Sequence, residues 1–193
     1  MVPPSLPELA ALPCVRRWIP SQREVPPITA LEFDSRSAGP GALFFALPGT
    51  HTDGHRYLDA VHQQGCRAAV VAKLPDSPFS DTSYLVVDDT RAALSPLSAF
   101  FFGHPSHEIP VIGVTGTDGK SSTVWFIHQL LEAYGRPSGF FSTVQWQTGS
   151  AVEHNAWRQS TPEAPQIHGL LRRMVENGKR FAVLESTSHG LSP

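Results

Sequence analysis

Cysteine is nearly missing from this chain: Cys14 and Cys66 are the only two in 193 residues, and they form no C-x-x-C pair. That removes a disulfide framework and a cysteine zinc site, and a reducing compartment is the simpler expectation. An excess of one charge is missing too. A formal net charge of −2 provides no basic field for nucleic acid. No apolar run approaches the ~18 residues needed to cross a bilayer, so membrane insertion is not expected. The N-terminus lacks a basic region followed by an uninterrupted apolar core, so it does not read as a secretion signal, and cytoplasmic residence is the default. With 40% apolar and 17% charged residues the composition is that of a folded globular protein rather than a disordered tail.

What is present is organised around Ile112–Thr123. A short apolar run bounded by Pro110 and a glycine-rich turn suits a buried strand. Beyond the turn, Val124, Ile127, Leu130, Leu131 and Tyr134 recur at spacings of three and four, then Gly135 and Pro137 stop the pattern, which predicts an amphipathic helix. Between strand and helix lie Gly116, Thr117, Asp118, Gly119, Lys120, Ser121 and Ser122. Glycines let several N–H groups turn into one concavity, and a helix N-terminus adds partial positive charge, so a polyphosphate can rest there. Lys120 can neutralise terminal phosphate charge and the Ser121 hydroxyl is placed for Mg²⁺. The full G-x-x-x-x-G-K-[ST] pattern is not met, because Val114 stands at the first glycine.

Residues 1 to 27 carry seven prolines and read as a lead-in, with at most a helical turn through Leu9, Leu12, Val15 and Trp18. Strands are expected over 28–36, 42–47, 68–72 and 84–87, with a short helix at Tyr57, Leu58 and Val61. Asp88-Asp89-Thr90 caps a helix through Phe101, with Pro96 leaving its boundary open. This alternation is α/β, and the polar stretch 103–110 is the natural linker, which divides the chain into 1–107 and 108–193.

In the second part a strand is expected over 138–144, then a long loop or hairpin over 145–160 as a candidate substrate contact. Thr161 is expected to cap a helix with Pro162 at its first position and Ile167, Leu170, Leu171, Met174 and Val175 on its apolar face. A final buried strand, Phe181–Leu184, delivers Glu185 beyond its carboxyl end, where ligands of parallel sheets collect and where a carboxylate can hold Mg²⁺ against phosphates. The bland alternative is a solvated acid at a strand end.

Five motifs in order, Asp34-Ser35-Arg36 with 41–46, Gly49 with Asp53-Gly54, the loop 115–121, 160–163 and 185–191, together resemble the Mur ligase family, most closely its MurE type, the UDP-N-acetylmuramoyl-dipeptide ligases that add the third residue of the peptidoglycan stem. The resemblance implies a small α/β uridine-nucleotide-binding domain, then the start of a P-loop-type, mainly parallel ATP-binding domain. It implies ATP and Mg²⁺ as cofactors, and a UDP-N-acetylmuramoyl dipeptide and an amino acid as substrates. It also implies a monomeric ligase working through an acyl phosphate in cell-wall biogenesis, cell shape and cell division. Carried over, Phe33, Ser35, Thr50, His51 and Thr52 touch the uridine or sugar part. Gln159, Ser160, Thr161 and Thr187 hold the muramoyl dipeptide. Residues 116–122 bind ATP, Ser121 and Glu185 take the metal, and Lys120 and Glu185 are the catalytic pair.

Asp118 departs from the asparagine expected in the loop, Ser121 from threonine, and Gln159 and Thr187 from asparagine and serine. The chain stops after a third central strand, without the amino-acid-binding domain, and so reads as an inactive N-terminal fragment. Two rivals stand beside it: another P-loop NTPase or phosphotransferase, and a non-catalytic nucleotide-binding module. His51 and His55 lack the three or four ligands of a zinc site, and no G-x-S-x-G elbow surrounds Ser186 or Ser188.

Overall fold

The computed structural model describes residues 2–49, 52–157 and 161–187. The chain forms two compact units, Met1–Phe101 and Phe102–Pro193. The linker expected at 103–110 therefore falls inside the second unit. Arg172 anchors it there, donating to the carbonyls of Phe102 at 2.8 Å and Gly103 at 3.0 Å and pairing with Glu108.

The first unit begins with a short helix, α1 (Leu6–Ala10), and a strand, β1 (Val15–Ile19). Of the residues expected in a helical turn of the lead-in, Leu9 lies in α1, while Val15 and Trp18 lie in the strand. The strand escapes notice because its three central residues are exposed and no apolar alternation marks it. It forms an antiparallel edge against β5 (Ser83–Val87). Strands β2 (Ala30–Glu32), β3 (Ala42–Phe45) and β4 (Ala68–Val71) complete a five-stranded sheet in the order β1-β5-β4-β3-β2, with β2 to β5 parallel. Every residue of β3 and β4 is buried, which explains why they read as continuous apolar runs rather than alternating ones. A 3₁₀ turn (Gly54–Tyr57) leads into α2 (Leu58–Gln63), whose Leu58 and Val61 pack on Phe44, Ala69 and Tyr84.

Helix α3 (Thr90–Phe101) starts where expected, with the Asp89 carboxylate accepting from the amides of Arg91 and Ala92. It runs straight through Pro96. The N–H that proline lacks would have met the Ala92 carbonyl, and both residues lie on the exposed face, where that carbonyl is open to solvent.

The second unit has the order β6-β10-β7-β8-β9, where β6 (Val111–Val114), β10 (Phe181–Glu185) and β7 (Ser138–Phe141) are parallel. Strands β8 (Gln145–Gln147) and β9 (Glu153–His154) add an antiparallel ribbon. The expected strand over 138–144 thus ends early. Ser142 closes a turn instead, and Val144 is 57% exposed.

Helix α4 (Lys120–Ala133) packs Val124 with partly buried Ile127 and Leu131 on Phe140 and Val183 of one sheet face. Leu130 and Tyr134, expected on that apolar face, are 59% and 81% exposed. His128 takes the buried position in their place, hydrogen-bonded to the Ser138 hydroxyl at 2.7 Å.

Helix α5 (Ala164–Glu176) covers the opposite face through Leu171 and Met174 against Ala182. Its N-cap is Glu163, whose amide donates to the Gln166 side chain at 3.0 Å, and not Thr161. The Thr161 hydroxyl is engaged elsewhere, with Thr187. No helix among the described residues is long and apolar enough to cross a membrane.

Candidate functional site

In the second unit the chain leaves β6 at Val114, whose register partner on the adjacent parallel strand β10 is Glu185. The Ser186 amide extends that ladder by donating to the Val114 carbonyl at 2.9 Å. The phosphate-loop candidate and the strand-end carboxylate therefore start from the same level of the sheet. Gly116 and Gly119 have φ of 149° and 75°, backbone states that side-chain-bearing residues rarely adopt. A Cβ at Gly119 would meet nothing within 4 Å, so backbone conformation, not crowding, sets the need for glycine.

Gly119 is the N-cap of α4, and the first main-chain bond of the helix runs from the Thr123 amide to the Gly119 carbonyl. The amides of Lys120, Ser121 and Ser122 consequently point out of the helix end with no intrahelical acceptor, the arrangement that receives an anion. The Lys120 ammonium folds back over the loop, donating to the carbonyls of Gly116 and Thr117, each at 2.9 Å. Asp118 is exposed at the loop tip, and no bond from its carboxylate to the loop backbone is seen among the described residues.

Glu185 is 3% exposed, so the bland reading of a solvated acid does not hold. The Ser121 hydroxyl donates to its Oε2 at 2.7 Å, the Thr143 amide donates to the same oxygen at 2.9 Å, and the Thr143 hydroxyl donates to Oε1 at 2.9 Å. Burial of a carboxylate is expensive unless its oxygens are satisfied, and here three donors satisfy them. Thr143 was not foreseen from sequence. It sits in the turn between β7 and β8, and only the pairing of β7 with β10 brings it to Glu185.

The donor set suits a hard divalent cation, since Ser121 and Glu185 present oxygen ligands. No group of three or more His, Cys, Asp or Glu side chains able to hold a metal occurs among the described residues. Magnesium at this place would need phosphate oxygens to complete its shell, which is how nucleotide-dependent sites commonly bind it.

Among the residues expected to touch the muramoyl dipeptide, Thr161 and Thr187 meet: their hydroxyls lie 3.1 Å apart, and the Thr187 amide donates to the Thr161 hydroxyl at 2.9 Å. Gln159 and Ser160 lie outside the described residues, as do Ser188 and His189.

In the first unit, Phe33 and Ser35 are half-buried just past the end of β2. The Arg36 guanidinium grips Asp34 through Nη2 at 2.6 Å and Nε at 2.9 Å, and that hydrogen bonding holds the Asp34 carboxyl below its ordinary range. Thr52 is exposed and its hydroxyl donates to the Tyr57 hydroxyl at 3.1 Å, while Thr50 and His51 lie outside the described residues.

Beyond the carboxyl ends of β3, β4 and β5 lies a cavity of about 470 Å³ whose lining includes Asp53, His55, Lys73, Asp76, Asp89 and Thr90. His55 is fixed in it: Nδ1 meets the Asp53 carboxylate at 2.7 Å and Nε2 accepts from the Ala72 amide at 3.0 Å, which assigns the proton to Nδ1. The amide of His55, and then its ring, hold the Asp53 carboxyl below its usual range. A larger groove of about 650 Å³ is mostly proline and apolar side chains and opens near Thr29 and Ser83, at the amino ends of the strands. Phe33, Ser35 and the cavity around His55 lie at the other end of the sheet.

Two family profiles match the chain: Mur ligase family, catalytic domain, over residues 27–102, and Mur ligase middle domain, over residues 114–193. A protein of Roseiflexus sp. (strain RS-1) named UDP-N-acetylmuramyl-tripeptide synthetase is 44% identical over 167 residues, covering 86% of this chain and 33% of that protein. A Chlorobaculum tepidum protein named UDP-N-acetylmuramoyl-L-alanyl-D-glutamate--2,6-diaminopimelate ligase is 39% identical over 165 residues, with 85% and 32% covered. The chain thus spans about a third of the length of the curated relatives it matches. Among solved structures, one titled as a UDP-N-acetylmuramoyl-L-alanyl-D-glutamate--2,6-diaminopimelate ligase superposes with a TM-score of 0.69 at 22% identity, over 98% of this chain and 37% of that one, a likeness of fold. With the two profiles together matching residues 27–102 and 114–193, and a relative 44% identical over 86% of this chain, the chain belongs to the Mur ligase family.

Proposed function

We propose that this chain supplies the uridine-nucleotide-binding and ATP-binding parts of an ATP-dependent amide ligase of peptidoglycan precursor synthesis, joining an amino acid to UDP-N-acetylmuramoyl-L-Ala-D-Glu. The observation that carries the proposal is the Ser121–Glu185 hydrogen bond at the mouth of the α4 N-terminus. It supports the reading because it joins a hydroxyl suited to a metal and a buried carboxylate at the helix end that also carries the Lys120 ammonium and three outward amides. The names of the relatives direct the reading to this substrate.

In this reading the amides of Lys120, Ser121 and Ser122, together with the loop Gly116 to Gly119, would hold the phosphates of ATP, and Lys120 would meet the terminal ones. Lys120 leaves the carbonyls of Gly116 and Thr117 for the phosphate oxygens, exchanging two neutral acceptors for a charged one. Phosphoryl transfer to the terminal carboxylate of the dipeptide needs alignment and charge neutralisation more than covalent help. Magnesium, when bound by Ser121 and Glu185, supplies part of that neutralisation. The amine of the incoming amino acid then attacks the acyl phosphate and releases phosphate, ADP having left at the first step.

Thr161 and Thr187, with Gln159 and Ser160, hold the dipeptide. Phe33, Ser35 and the loop Thr50 to Thr52 hold the uridine end in the first unit, Met1–Phe101. Asp118 lies away from the phosphates, toward solvent. Cytoplasmic residence, a monomeric state and a role in cell division and cell shape belong to the same proposal.

The experiment is a titration of isotope-labelled chain with UDP-N-acetylmuramoyl dipeptide, followed by amide resonances. Shifts at Ser35 and Thr52 are expected. Shifts confined to the second unit, or none, would remove the uridine-binding role and leave a nucleotide-binding module.

A further inference from the structure

Threonines in tight turns ordinarily satisfy their hydroxyl within the turn, on a neighbouring amide or carbonyl. Thr143 does not. Both its amide and its hydroxyl reach across to Glu185, one to each carboxylate oxygen, each at 2.9 Å. The turn itself is braced by Ser142 instead, whose hydroxyl donates to the Gln145 carbonyl at 2.9 Å and accepts from the Gln145 amide at 3.1 Å. Asn155, next to β9, adds a donor from its side chain to the Ser142 carbonyl at 3.0 Å. Thr143 is thus free of turn-making work and is held in place by neighbours on both sides.

An ionised carboxylate has about four acceptor positions, two on each oxygen. Ser121 and the Thr143 amide occupy both on Oε2, and the Thr143 hydroxyl occupies one on Oε1. Among the described residues a single position is left, on Oε1. The two-point grip also removes rotation about the last side-chain bond of Glu185, a torsion that is otherwise broad. With its proton committed to Glu185, the Ser121 hydroxyl keeps its lone pairs for a cation.

We propose that Thr143 is a positioning residue for the nucleotide's metal: it locks the Glu185 carboxylate so that one lone pair of Oε1 faces the cation that Ser121 also binds. This deepens the reading given above and rests on it. Thr143 acts through Glu185 and touches neither phosphate nor metal. Because Thr143 is exposed, replacing it removes little packing, and the effect of a substitution reports on the carboxylate.

The test uses Mn²⁺ as a paramagnetic probe. Binding of Mn²⁺·ADP is followed by electron paramagnetic resonance and calorimetry, and binding of ADP in EDTA by calorimetry, on the wild-type chain, Thr143→Val, Thr143→Ala and Thr143→Ser. Partners that orient a metal ligand typically change metal affinity by roughly 10–100-fold. Thr143→Val and Thr143→Ala are expected to weaken Mn²⁺·ADP by that factor with metal-free ADP binding unchanged, and Thr143→Ser to restore wild-type behaviour. Wild-type affinity for Mn²⁺·ADP in both the valine and alanine variants overturns the proposal. Equal weakening with and without metal, or loss of folding in both variants, also overturns it, because Thr143 then serves the fold. A wild-type chain that binds neither Mn²⁺·ADP nor ADP would instead remove the nucleotide-binding reading itself.

Discussion

Both units place candidate ligand residues beyond the carboxyl ends of parallel strands, yet they hold them by different means. In the second unit the candidates are tied to one another across long stretches of chain: Ser121 and Thr143 converge on Glu185 from separate elements, and Thr161 meets Thr187. In the first unit the ties of the expected contact residues are local, Arg36 to Asp34 and Thr52 to Tyr57, with His55 reaching further, to the Ala72 amide. Long-range bonds between strand ends pre-shape a site before ligand arrives, which suits binding a compact charge cluster. Local turns on an otherwise open edge leave shape to be completed by the ligand, which suits a long, extended substrate end.

That contrast can be broken most severely at Lys120. Charge-assisted hydrogen bonds contribute about 1.5–3 kcal/mol each, so Lys120→Ala is expected to weaken ATP binding by roughly 100-fold, measured by calorimetry. Because Lys120 bonds only to its own loop among the described residues, the thermal midpoint of the chain should stay near wild type. A large loss of stability with unchanged affinity would contradict a site that is organised for ligand and not for the fold.

The first unit is probed at Gly54. A Cβ there would lie 2.6 Å from the Leu47 nitrogen and 2.8 Å from the Ala46 carbonyl carbon and the Leu47 oxygen, all backbone atoms that cannot step aside. Gly54→Ala should destabilise this unit by about 1–3 kcal/mol in urea, disturbing the loop that carries Thr52 and Asp53 while ADP binding at the phosphate loop is retained. Loss of both would mean that the two sites do not stand on separate cores.

A smaller effect sharpens the comparison through pH. Burial pushes His128 on α4 below the usual imidazole range, with Lys179 adding to that direction and Glu132 opposing it. Burial lowers His168 on α5 as well, with His104 nearby acting the same way. A histidine whose folded pKa is depressed refuses a proton that the unfolded chain accepts. Stability is therefore full above the ordinary value of 6.5 and falls as pH drops below it, by at most about 1.4 kcal/mol per pH unit for each histidine. Denaturant melts between pH 7.5 and 5 should show this slope, and His128→Gln should flatten it.

How much of this was legible in the sequence depended on whether contiguous residues carried the signal. The glycine-rich turn between β6 and α4, the caps around Asp89 and Gly135 and the buried strands β3, β4 and β10 declare themselves by local composition. Glu185 could be placed beside the loop because it ends a parallel strand at the same level as Val114 of β6. Thr143 was invisible because its contact with Glu185 exists only once β10 inserts between β6 and β7. Strand β1 was hidden by its exposed centre and its flanking prolines, and Leu130 and Tyr134 were misplaced because apolar spacing cannot tell a core face from one left open to solvent. The Thr161 cap failed for a related reason, since a long-range hydroxyl partner outcompeted the helix end.

The central claim is that the α4 N-terminus, Lys120 and the Ser121–Glu185 pair together receive the phosphates of a magnesium nucleotide. Calorimetric titration of the wild-type chain with Mg²⁺·ADP, repeated with ADP in EDTA, tests it most directly. Saturable heat that weakens when the metal is removed is the predicted result. No heat in either titration of the folded chain, or equal heat in both, would contradict it.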